Sequence, residues 1–140
     1  MAANANLRKP CVDEAASMSV GYISLAAIEV ARTNLQTVQS KSPYDMISHW
    51  RSDDEVHDLF ISNCGNDTLI NILNSLRTTT KLFEIEKLSE RLEPDSQQHE
   101  QILDALIKQD AKAARRAVAT HIKSLFPVSY THLTLPTRSY

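Results

Sequence analysis

Apolar residues recur every three or four positions along most of this chain, the spacing of helices that bury one face, and a few capping and breaking residues cut the pattern into segments. The first segment runs from Leu7 to about Val20, with Pro10 near its first turn and Gly21 at its end. Ser24 is placed to cap a second helix to about Gln39, with Leu25, Ile28, Leu35 and Val38 inward. Ser42-Pro43-Tyr44-Asp45 opens a third: a capping hydroxyl, a proline at the first helical position and a carboxylate near the positive end of the dipole. Its apolar stripe is Met46, Trp50, Phe60 and Cys64, and Gly65 stops it. Asn66 or Asp67 starts a fourth helix, whose expected buried face is Leu69, Leu73, Leu76 and Phe83. Glu93-Pro94-Asp95-Ser96 breaks the pattern, with Asp95 or Ser96 expected to cap a fifth helix from about Gln97 to Lys108 carrying His99, Ile102 and Leu106 inward. Asp110 caps the last, Ala111 to about Leu125, with Ala114, Ala117, Val118, His121 and Leu125 inside. The expected fold is all-α, an antiparallel bundle of about six helices.

Composition narrows this further. Two glycines in 140 residues are too few for a hairpin-rich sheet protein. The 15 Lys and Arg are scattered among 17 Asp and Glu, so the net charge of -2 and the pattern exclude a phosphate-tracking basic stripe. The two cysteines, Cys11 and Cys64, have no paired spacing, and there is no leader or long apolar run, so a soluble, intracellular protein without membrane contact is expected. Residues 1–6 are expected to carry no structure, and residues 126–140 lose the helical period.

The candidate chemistry lies in the third, fifth and sixth segments. Asp53 and His57 stand four apart, one above the other on a helical face and in step with the apolar stripe, so both point inward and need partners. His99 lies ten or eleven residues before the Gln109-Asp110 turn and His121 eleven after it, about 15 Å along each arm, so an antiparallel hairpin brings the two imidazoles side by side. Each histidine alone reads as a core residue bonded to a carbonyl. Four inward groups together favour a divalent metal site, Asp53, His57, His99 and His121, for which three imidazoles and a carboxylate suit Zn, Ni, Mn or Fe and leave positions for water or a small anion. His49 and His132 are expected at the surface.

These residues carry a family resemblance. Asp53-x3-His57-x8-Asn66, with Gly65 before the asparagine, resembles the "D-x3-H…sGN" signature of the FCD effector domain of GntR-type bacterial transcription regulators. His99-x2-Ile102-x2-Ala105-Leu106-x3-Asp110-x3-Ala114-x6-His121 resembles that family's closing hairpin. The resemblance covers about residues 7–125, departs from the usual pattern at Cys11-Val12, Val56 and Gln98, and fits the six-helix VanR-like subgroup.

It implies that Asp53, His57, His99 and His121 bind the metal, with Zn or Ni ahead of Mn or Fe, and that a small organic-acid effector, such as a sugar acid or hydroxy acid, occupies its open positions. Arg8-Lys9-Pro10 is similar to the family's "R-x-P-L-E" pattern, whose arginine reaches the effector carboxylate. Asn66 is an effector contact by the same resemblance, and Trp50 is a further candidate for the lining.

The implied function is sensing and homodimerisation in a cytoplasmic bacterial regulator, with DNA read only through a winged helix-turn-helix for which no room precedes Leu7. Residues 126–140 read as translated vector or adapter sequence. Two other classes compete: a metal-dependent hydrolase or oxygenase, which needs an inward base that the sequence does not offer, and a structural helical interaction module.

Overall fold

The computed structural model describes residues 12–125, which form six α-helices with no strand among the described residues. They are α1 (Val12–Ser19), α2 (Leu25–Ser40), α3 (Met46–Ser62), α4 (Asp67–Glu84), α5 (Leu92–Ile107) and α6 (Ala111–Leu125), with two short 3₁₀ turns, Ile85–Lys87 and Ser89–Arg91, between α4 and α5.

Local chemistry sets most boundaries. The Ser24 hydroxyl accepts from the Ala27 amide at 3.1 Å, Asn66 Oδ1 from Leu69 at 3.0 Å, and Asp110 Oδ1 from Ala113 at 3.0 Å, each satisfying an amide that the first helical turn leaves free. Gly21 and Gly65 take positive φ between helices, a conformation that a side chain would oppose.

Two starts differ from the sequence expectation. α3 is capped by Asp45, which accepts from the Ile47 and Ser48 amides, rather than by Ser42, which precedes a cis proline in the loop. α5 begins at Leu92 with Pro94 inside its first turn, where a missing N–H costs nothing, so Asp95 and Ser96 are buried helical residues and not caps.

The core lies where α3 and α5 cross α2 and α6. Val56, Phe60, Ile102, Leu103, Ala114 and Val118 are fully buried there. α1 packs on α6 and α3 through Ala15 and Ala16, whose small side chains let the helices approach closely. Across the outside, Arg32 of α2 reaches Glu100 at 3.3 Å and Asp104 at 2.7 Å on α5. Such exposed pairs contribute about 0–1 kcal/mol and fix orientation more than stability.

Four residues assigned inward from the period face solvent instead: Met46, Leu25, Leu76 and Phe83, the last 70% exposed. Each lies on a face that the helix pattern marks as apolar but that no neighbouring helix of the described residues covers.

Candidate metal centre

α3 supplies Asp53 and His57 one turn apart. α5 supplies His99, and α6 returns across the turn at Gln109, whose φ of 54° helps reverse the chain, to place His121 beside it. All four side chains are buried, and one ligand atom from each lies within 4.8 Å of the others. His99 Nε2 is 3.2 Å from His121 Nε2 and 3.2 Å from Asp53 Oδ1, and His57 Nε2 is 3.6 Å from the same oxygen.

Two of these atoms, Asp53 Oδ1 and His57 Nε2, are buried without a hydrogen bond. Leaving such atoms unpaired costs about 1–3 kcal/mol each, so native folds rarely tolerate two side by side unless something else binds them. A cation held at ~2.1 Å by nitrogen and oxygen ligands sets neighbouring ligand atoms roughly 3–3.5 Å apart, close to the shorter spacings here. The donor set and the two unpaired atoms therefore fit a divalent metal.

The second oxygen of Asp53 is held from outside. Arg77 of α4 donates to Asp53 Oδ2 at 2.6 Å and to Asp54 Oδ1 at 2.7 Å, and Lys81 reaches Asp54 at 2.8 Å. Burial opposes ionisation of Asp53, but the polar and positive groups around it, with the Arg77 guanidinium fixed at 2.6 Å, outweigh it and hold the carboxyl well below its usual range. Burial, and then Arg77, pushes His57 well below the ordinary histidine value against the pull of Asp53. Burial and the neighbouring His99 and His57 do the same to His121. At neutral pH, Asp53 is thus ionised and His57 and His121 are neutral, the protonation states in which they are ligands.

Residues 14–124 match the FCD domain family. This chain belongs to that family. No curated protein and no solved structure gives a significant match. FCD domains are the effector-binding regulatory domains of GntR-type regulators, so the buried cluster sits in a ligand-binding regulatory fold. No helix of the described residues is long and apolar enough to cross a membrane.

The other candidate residues of this FCD domain are placed differently. Asn66 is exposed and its side chain caps α4. Trp50 is half-buried, with the Lys81 ammonium 5.8 Å from its ring centroid. Arg8 and His132 lie outside the described residues.

His49 is a correction: it is buried, 2.7 Å from the Tyr44 hydroxyl and 3.2 Å from Asp95 Oδ2. It stands one helical turn before Asp53 and so shares the inward face. Arg77 and Glu84 carry no sequence signal, and Gln98 stands in the sequence only as a departure from the family pattern. Gln98 Oε1 lies 2.6 Å from His121 Nδ1. Glu84 is half-buried, and burial together with the fields of Asp53 and Asp95 pushes its carboxyl up to about 7. No spacing rule marks these three, because each comes from a different packing register.

Proposed function

We propose that this FCD domain, residues 7–125, is the effector-sensing and dimerisation module of a cytoplasmic bacterial GntR-type regulator; residues 126–140 lie outside the described residues. Asp53, His57, His99 and His121 hold a divalent metal, in a domain of the VanR-like subgroup. The observation that carries the reading is the pair of unpaired buried atoms, Asp53 Oδ1 and His57 Nε2, facing two further imidazoles.

A metal there supplies a Lewis-acid anchor for a carboxylate oxygen, as a sugar acid or hydroxy acid provides. Three nitrogens and one oxygen favour Zn or Ni over Mn or Fe. Arg77 keeps the Asp53 carboxylate ionised and aimed, while the closed apolar core around Phe60 and Ile102 excludes water. Arg8, Trp50 and Asn66 are the effector contacts.

Control of DNA binding by a winged helix-turn-helix requires the effector to bind the DNA-competent and released arrangements with different affinity. The apolar groups that α4 leaves exposed, Ile72, Leu76 and Phe83 among them, offer a second copy a surface for the homodimer.

The test is metal content by mass spectrometry of the purified chain, wild type beside His99→Ala, after dialysis and after addition of Zn or Ni. About one ion per chain in the wild type, weakened at least tenfold in the variant, supports the site and justifies screening small carboxylates by thermal shift. No bound metal in a folded wild type overturns it.

A further inference from the structure

His121 carries a ligand nitrogen and a second ring nitrogen, and the partner of the second fixes the state of the first. Its Nδ1 is 2.6 Å from Gln98 Oε1, and the same oxygen is met by Arg91 Nη2 at 3.2 Å and by the Ser124 hydroxyl at 2.9 Å. Arginine has only donors, so the Gln98 atom it faces is the amide oxygen and not the nitrogen. An amide oxygen only accepts, so His121 Nδ1 carries the hydrogen. In the neutral ring that leaves Nε2 with a bare lone pair, directed at the cluster 3.2 Å from His99 Nε2.

Arg91 is itself anchored. Its Nε and Nη2 donate to Asp95 Oδ1 at 3.0 and 2.8 Å, and a further contact runs from Nη2 to Ser124 Oγ at 2.7 Å. Asp95 is buried and meets His49 with its other oxygen at 3.2 Å. The amide is therefore gripped from the turn before α5 and from α6.

From this geometry we infer that Gln98 is a positioning residue, clamped by Arg91 and Ser124, that holds His121 in the tautomer able to ligate through Nε2. Its consequence for metal affinity rests on the metal reading above, whereas the tautomer itself does not. A donor in place of the Gln98 oxygen would invite the other tautomer, in which an Nε2–H points into the cluster and must be removed before any cation binds.

The test uses long-range ¹H–¹⁵N imidazole spectra of the metal-free full chain, which distinguish a protonated from a bare ring nitrogen, followed by Zn titration. Wild-type His121 is expected as the Nδ1–H form. Gln98→Glu keeps the acceptor and is expected to keep both the tautomer and Zn affinity within a few fold. Gln98→Met fills similar space without an acceptor; it is expected to mix the tautomers and weaken Zn about 10–100-fold.

A wild-type His121 protonated on Nε2 overturns the inference with no variant needed. So does a folded Gln98→Met that retains both the Nδ1–H form and wild-type Zn affinity. An Nδ1–H wild type that binds no metal supports the tautomer assignment while removing the metal reading.

Discussion

α4 and α5 are of similar length and both carry a clear apolar period, yet they are attached to the bundle by different physics. α5 is enclosed by α2, α3 and α6 and buries Ile102, Leu103, Ala105 and Leu106. α4 leans on α3, buries only Leu73, and leaves Leu82 75% exposed and Phe83 70% exposed. What joins α4 to the centre is charge: Arg77 and Lys81 reaching Asp53 and Asp54. The contrast teaches that an apolar period names a helix face but not what covers it, and that a helix short of apolar burial can be tied in by one buried ion pair.

Cutting that tie should have the largest effect. Arg77→Met leaves the Asp53 charge buried without its guanidinium, a loss of roughly 3–5 kcal/mol in urea unfolding of the metal-free protein. Saturating Zn should shrink the deficit, because a cation on Oδ1 compensates the same carboxylate; an unchanged deficit would detach Arg77 from the site. On the α5 side, Leu103→Ala should cost about 2–5 kcal/mol through a cavity in a fully enclosed position, with no dependence on Zn concentration beyond the shared fold.

Acid should act on the buried cluster in two steps, leaving the apolar attachment of α5 untouched. His57 and His121 have lowered values in the fold, so below about 6.5 the unfolded chain takes up protons that the folded one refuses, and stability falls from there downward. Asp53 is also depressed, so its contribution is complete above about 3.9 and is lost only as pH drops further. Thermal unfolding of the metal-free chain from pH 8 to pH 3 should therefore decline in two stages, and a single stage near pH 4 would contradict the neutral histidines.

Glu84 runs the other way. Its value raised to about 7 gives a contribution present at acid pH and lost as pH rises through neutrality. Glu84→Gln should raise the melting temperature at pH 8 and leave it nearly unchanged at pH 5. The smallest effect is expected from Leu82→Ala, within ~0.5 kcal/mol in dilute solution. A larger loss that grows with protein concentration would show that another copy covers this face.

The parts legible in the sequence were those governed by one helix or one turn. Asp53 and His57 face the same way because they are four apart, and His99 meets His121 because the arms from Asp110 are equal in length. The all-α class follows from the period and the scarcity of glycine. The contacts of Arg77 with Asp53 and of Gln98 with His121 are not legible, since each is made through the register between separate helices, which periodicity leaves free. His49 is buried and not at the surface, and the same four-residue rule reaches it from Asp53. Leu76 and Phe83 were assigned inward because a stripe was equated with a neighbour.

The hairpin of α5 and α6 supplies half of the cluster from nearby sequence, whereas Asp53 and His57 come from a helix dozens of residues earlier. A cation bridging the two would act as a removable cross-link over a long loop, most useful late in folding, once the hairpin has formed and only the closing of α3 onto it remains. Chelation should then quicken the departure of α3 more than the rate at which the hairpin assembles, making the unfolding rate the kinetic record of metal supply.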